Sequence, residues 1–354
     1  MNLNYCSVVI LYCLEKINAE RTVYSIFHLL KGKKSSQTIQ DSHIFHLSKL
    51  FYLYPTLSRN MFDQAIHHLE SDGYIEKISD QIYKITGKGS ARLDAFPNHN
   101  PLPKHVNGWQ YHTISDVFWR RLSLLVQVSS NLNRNHVQYL PIQKDKEIQL
   151  WVKKFIHTKK VSKQSIASIL YKELLSILDS EEEINPSTLV IRFSGFNNYG
   201  LTPEQAAEEL HIEFYEYHVQ FINVLHYMLE SLLSDTKNYP FIQSIIDDYS
   251  IKVPLTISTK KTFSLVQKGY TIDEIAHMRK LKSNTIEDHI VELVINVKDF
   301  DILPYVSKGR QEKILHAVQN ASSKQLKQIR QLVQEASYFE IRLVMAKYGE
   351  KEWN

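Results

Sequence analysis

The stretch Val266–Val294, VQKGYTIDEIAHMRKLKSNTIEDHIVELV, reads as two short helices joined by a tight turn. Thr271-Ile272-Asp273-Glu274 is a capping box that starts the first helix. Lys280-Leu281-Lys282 is the turn, and Ser283 is expected to cap the second helix. With Ile286 at the centre of the inner face, Ile290, Leu293 and Val297 fall beside it and Val294 lies close by. The opposite face holds Asn284, Asp288, Val291, Glu292 and Ile295. Acids at Asp288 and Glu292 repel phosphates, and Val291 and Ile295 favour a covered surface. Asp288, Val291, Glu292 and Ile295 are therefore expected to contact protein. Only the opening of the helix suits DNA: Lys280, Lys282, Ser283, Asn284 and Thr285 cluster at its positive end.

The 354 residues are enough for two or three domains. At 43% hydrophobic and 23% charged, the composition is that of an ordinary globular protein. The longest apolar run, Val8–Cys13, is far short of the roughly 20 residues that span a bilayer. No signal-peptide pattern is read at the N-terminus. Cys6 and Cys13 share one face of an apolar helical pattern, which points to core packing and a cytoplasmic home rather than a disulfide or metal site. Residues 1–110 carry net charge +3, residues 111–254 carry −3, and residues 255–354 carry +4. Two mildly basic ends flank an acidic middle, which permits an anionic partner at either end.

Nearly every segment reads as helix: Tyr5–Ile17, Thr22–Leu30, Leu57–Asp72, Ser115–Leu132, Lys146–His157, Ser162–Leu178, Pro203–Leu210 and Phe214–Leu233. Ser36 is expected to N-cap the helix that follows the basic turn KGKK. Gly73 falls where a left-handed C′ residue is wanted. The period then changes. Tyr74–Ile78 and Ile82–Thr86 flank Ser79-Asp80-Gln81 as a hairpin. Helix plus small hairpin is the winged-helix arrangement. Leu189–Gly200 reads as an irregular loop opening with a strand. The expected organisation is a winged-helix domain at 1–96, a Pro-rich linker at 97–113, an all-α middle domain at 114–250, a linker at 251–258 and a helix-turn-helix module at 259–354. The fold class is mainly α.

The first domain supplies a second DNA candidate. With Phe62, Ala65, Ile66 and Leu69 inward, the outer face of its helix holds the neutral hydrogen-bonding side chains Asn60, Gln64, His67 and Ser71, with Asp63 and His68 on its edges and Arg59 at its start. Lys31, Lys33 and Lys34 precede a helix opening at Ser35, Ser36, Gln37 and Thr38, whose N–H groups suit a phosphate. Lys77 and Lys84 lie on the hairpin. Arg is scarce in both candidates, so backbone contact is expected over base readout.

Catalytic signatures are missing from the sequence. KGKKSS lacks the GxxxxGK spacing of a phosphate loop, and no strand precedes it. His43 with His46, and His67 with His68, come without the further ligands of a zinc site. Asp179, Glu181, Glu182 and Glu183 form a solvated run. No enzyme activity, cofactor, metal, membrane or small-molecule substrate is expected.

Two regions resemble parts of one family. SIFHLLKGKKSSQTIQDSHIFHLSKLF…SRNMFDQAIHHLESDGYIEKISDQIYKITGKG is similar to the winged-helix domain that follows the motor in RecQ-family helicases. TKKTFSLVQKGYTIDEIAHMRKLKSNTIEDHIVELV…SYFEIRLVMAKYG looks like the helicase-associated helix-turn-helix module. The matching residues there are Thr262, Gly269, Ile275, Ala276, Arg279, Thr285, Ile286, His289, Tyr338, Ile341 and Arg342. Regulators of the LuxR type share part of that spacing. The whole chain resembles a bacterial helicase-associated helix-turn-helix family encoded beside a short RecQ-type helicase. The resemblance implies a non-catalytic DNA-binding accessory protein that partners such a helicase in DNA repair or recombination. The hairpin tip, Ser79-Asp80-Gln81, lacks the aromatic wedge of some RecQ proteins, so duplex splitting by the wing is not expected. The alternative is a transcription regulator with an all-α sensing or dimerisation domain.

Overall fold

The computed structural model describes residues 3–159, 162–234, 237–249, 254–321 and 323–349; of Lys163 and Gln164 it describes the backbone alone. In chain order, α1 is Tyr5–Ile17, α2 Tyr24–Leu30, α3 Ser36–Ile44 and α4 Arg59–Ser71. The strands β1 (Ile75–Ser79) and β2 (Ile82–Ile85) follow, then α5 (Gly87–Leu93), α6 (Gly108–Tyr111) and α7 (Ser115–Asn133). Next come α8 (Lys146–Thr158), α9 (Lys163–Asp179), α10 (Ser187–Val190), α11 (Pro203–Glu209), α12 (Phe214–Ser234) and α13 (Pro240–Gln243). The chain ends in α14 (Ile257–Val266), α15 (Ile272–Arg279), α16 (Ser283–Asn296), α17 (Lys308–Asn320), α18 (Leu326–Leu332) and α19 (Tyr338–Tyr348). The mainly α reading holds.

Two compact units divide the chain: Met1–Val9 with Asn100–Ser250, and Ile10–His99 with Ile251–Asn354. The expected first and last domains thus share one unit instead of standing apart. The reason is packing: α3 lies against α16 and α19.

The unit containing 100–250 is built around α12, whose Tyr217, Val224, Met228 and Leu232 are buried. It packs with α7, α9, α10 and α11. Arg121 on α7 makes a two-pronged pair with Asp248 at 2.6 and 2.8 Å. Residues 97–113, expected as a linker, are not a free tether. Val106 and Trp109 are buried, and the N–H of His105 donates to Asn223 Oδ1 at 2.9 Å. Prolines remove the helical period from this stretch, but its apolar side chains still bury. Leu189–Gly200 opens as the end of α10 rather than as a strand, and closes on a single antiparallel bridge between Gly195 and Asn198. Cys6 is buried here and Cys13 in the other unit.

In the second unit, Phe62, Ile66 and Leu69 of α4 point inward as the period requires. Gly73, at φ +76°, ends the helix in the left-handed conformation that costs glycine nothing. β1 and β2 pair antiparallel, with Glu76 opposite Lys84 and Lys77 opposite Tyr83. Ser35, not Ser36, caps α3: its hydroxyl accepts the N–H of Thr38 at 3.3 Å. Of the expected linker 251–258, residues 251–253 lie outside the described residues, and Ile257 already begins α14.

Candidate nucleic-acid interface

The helix-turn-helix forms as the spacing dictates. Thr271 caps α15, its N–H donating to Glu274 Oε2 at 2.8 Å. Lys280 takes the left-handed conformation at φ 53° that turns the chain. Ser283 was expected to cap α16; instead Lys282 occupies the cap position, and the Ser283 hydroxyl donates to Asp273 Oδ1 at 2.8 Å. That bond ties the start of α16 back to α15. Ile275, Ala276 and Ile286 form the small core between the two helices.

A polar cluster fixes α14 beneath them. Arg279 donates to the carbonyl of Ser258 at 2.9 Å and to the hydroxyl of Thr262. Thr262 in turn meets His289 Nδ1 at 2.8 Å. Burial, with the Arg279 charge adding, holds the His289 imidazole below its ordinary pKa. Arg279 and His289, both part of the family resemblance, are therefore scaffold.

The opening of α16 is accessible: Lys280, Lys282 and Asn284 are exposed, Ser283 and Thr285 half-buried. From Ile286 onward the residues of the helix are buried or half-buried. Val291 and Glu292 are 2% and 5% exposed. Glu292 accepts the N–H of Thr256 at 2.5 Å and the hydroxyl of Thr259 at 2.6 Å. Asp288 pairs with Arg342 at 2.7 Å, and Ile295 is half-buried. The expectation that Val291, Glu292 and Asp288 contact another protein thus needs correction; for half-buried Ile295 it stays an expectation. Val291 and Glu292 are buried within this chain, Asp288 is bound to α19, and α16 packs on α3, α14 and α19. The apolar and acidic character read from the sequence serves this internal seam.

The N-terminal candidate sorts in the same way. Lys31 is structural: its ammonium donates to the carbonyl of Leu57 at 3.1 Å and lies near the Phe27 ring. Lys33, Lys34 and Gln37 are exposed, Ser35 and Ser36 half-buried, and Thr38 buried. On α4, Asn60, Gln64 and His67 are exposed. Arg59 is engaged by Asp63 at 3.1 Å and stacks on Tyr24, 3.3 Å from the ring centre. Lys77 and Lys84 are exposed on the hairpin. The two candidates are neighbours at one point, because Lys34 lies close enough to Glu292 to favour its charged form. Sequence reasoning missed the residues that make this seam, above all Gln40, whose Oε1 accepts from Arg342 Nε at 2.7 Å. The available signal was the pair of opposite charges at Asp288 and Arg342.

Residues 258–345 match the helix-turn-helix domain family, a range running from α14 into α19. Over 351 residues the chain is 36% identical to Protein YpbB of Bacillus subtilis (strain 168), covering 98% of each chain. The chain belongs to the YpbB family. No solved structure matches it. The match takes in the Arg279–Thr262–His289 cluster and Arg342, and a helix-turn-helix domain supports DNA binding. Among the described residues, no helix is long and apolar enough to cross a membrane.

Proposed function

We propose that this protein is a cytoplasmic, non-catalytic DNA-binding accessory factor that grips the phosphate backbone and works with a RecQ-type helicase in DNA repair or recombination. One observation carries the backbone part of this reading. From Ile286 onward every residue of α16 is buried or half-buried, whereas its opening presents Lys280, Lys282 and Asn284 at the surface. A helix that reads a promoter lays a run of free side chains along base edges. A helix tip with lysines and N–H groups suits phosphates. The helicase part rests on the resemblance of the N-terminal run to the RecQ winged helix, and α4 followed by the β1–β2 hairpin is consistent with it.

The test is binding of the full-length protein to forked, single-stranded and blunt duplex DNA of several sequences, with and without a RecQ-type helicase whose unwinding is monitored. Structure-dependent, sequence-tolerant binding that raises unwinding is expected. Protection of one defined operator sequence alone would move the assignment to a transcription regulator.

A further inference from the structure

A recess of about 440 Å³ opens beside the first turns of α3, where α18 and α19 approach it. It lies in the volume range of small-molecule sites, roughly 300–1,000 Å³. Its charges are already matched. Arg21 pairs with Asp41 at 3.0 Å, and Arg342 pairs with Asp288 at 2.7 Å. Two guanidiniums so engaged do not make a phosphate trap. What the recess leaves over is hydrogen bonding. Gln40, 5% exposed, accepts from Arg342 Nε at its Oε1, while its Nε2 has no partner. Asp41, 8% exposed, accepts from Arg21 at Oδ1, and its Oδ2 has no matched donor; burial raises its pKa, with Arg21 and then Gln37 opposing the rise. Buried polar atoms are normally paired, so a donor and an acceptor left over on successive residues of α3 suit a ligand that presents the complement.

The walls define the rest of that ligand. Ile44 and Leu326 are apolar, and Tyr338, at the start of α19, is 43% exposed. The Arg330 guanidinium lies 4.5 Å from the Tyr338 ring centre. A neutral, flat ring with adjacent donor and acceptor groups fits these walls, and every nucleobase has that chemistry. We propose that this recess receives a single unstacked base of single-stranded DNA, its face on Tyr338 and its polar edge toward Gln40 and Asp41. The exposed Lys33 and Lys34 just precede α3 and suit the phosphates on either side of that base. The proposal deepens the DNA-binding reading and rests on it.

The test compares a short single-stranded DNA with an oligomer of the same length built from abasic sugars, using the full-length protein. The base-containing strand should bind about tenfold tighter, the scale of one base–aromatic stack. Tyr338→Ala should remove that difference while leaving the abasic strand unchanged, and Tyr338→Phe should retain it. A 2-aminopurine placed in the strand should be quenched by the wild type and by Tyr338→Phe only. Equal binding of both strands by wild type, or equal weakening of both by Tyr338→Ala, overturns the recess and leaves DNA binding standing. A parallel titration with free nucleosides separates the sources. Tyr338-dependent nucleoside binding without oligonucleotide binding supports the base site and refutes the DNA reading. Failure of every oligonucleotide and nucleoside refutes both.

Discussion

Asp288 and Arg342 meet at 2.7 Å, and the same guanidinium donates from Nε to Gln40 at 2.7 Å. One side chain on α19 thereby fastens α16 and α3, which belong to opposite ends of the sequence. Arg342→Ala leaves a half-buried carboxylate and a buried amide oxygen without their donor. It is expected to lower stability by about 1–3 kcal/mol, the upper part of that range being screened at the half-exposed Asp288. Arg342→Lys keeps the charge without the planar fork and should recover only part of the loss. Urea unfolding of the three proteins checks this, and an Arg342→Ala midpoint equal to wild type would contradict the seam.

Glu292 makes a pH-dependent contribution of known sign. Burial raises its pKa above the ordinary 4.5, outweighing the hydrogen bonds from Thr256 and Thr259. The folded state therefore favours the protonated form. The stabilisation linked to that proton is full below 4.5 and is lost as pH rises through the folded value. Glu292→Gln mimics the neutral form. The stability of wild type minus that of Glu292→Gln should fall as pH rises from acid to neutral, and a flat or rising difference would exclude the assignment.

His226 behaves in the opposite direction. Its imidazole is pushed down to about 3, chiefly by burial, with His112 adding. It stays neutral, accepting the N–H of Asn107 at 3.0 Å on Nδ1, with Nε2 3.0 Å from the Ser115 hydroxyl. The unfolded chain protonates near 6.5, so the stability it gives is present above that pH and is lost as pH falls toward 3. The loss amounts to about 1.4 kcal/mol per pH unit in that window. Trp109, Trp119 and Trp151 lie in the same unit and give a fluorescence readout of its unfolding. His226→Gln should remove this acid slope; an unchanged slope would mean that His226 is accessible to protons in the fold.

Lys31 and Lys33, two positions apart, should separate cleanly. Lys31 is tied to the Leu57 carbonyl, whereas Lys33 is exposed. Lys31→Met should cost about 0.5–1.5 kcal/mol of stability with little effect on DNA affinity. Lys33→Glu should do the reverse. The pair is read by urea unfolding and fluorescence anisotropy on the same preparations, and loss of DNA affinity in Lys31→Met with none in Lys33→Glu would invert the assignment.

Local order was legible where the code is local. The periods of Tyr5–Ile17 and Phe214–Leu233, the Thr271 capping box and Gly73 all placed elements within a residue or two. The hairpin was legible because β-branched and aromatic residues flank a polar turn. The partner of an amphipathic face was not. Val291 and Glu292 announce burial without naming what buries them, and α3 lies more than two hundred residues away in the sequence. The same holds for Gln40 and Asp41, which in a linear reading are ordinary polar residues of a short helix. Caps also slipped by one residue: Ser35 takes the cap from its polar neighbour Ser36, and Lys282 holds the cap position of α16 with no side-chain bond while the Ser283 hydroxyl is bound to Asp273.

The central claim is that lysine-flanked helix openings hold a DNA backbone. The most direct measurement is the dependence of binding on salt for forked DNA, comparing wild type with Lys33→Glu/Lys34→Glu and Lys280→Glu/Lys282→Glu. Each lost phosphate contact should reduce the slope of log affinity against log salt by about 0.9, so each double variant should flatten it by up to about 2, with weakening uniform across sequences. A wild-type affinity indifferent to salt, or slopes unchanged in both variants, would contradict the claim.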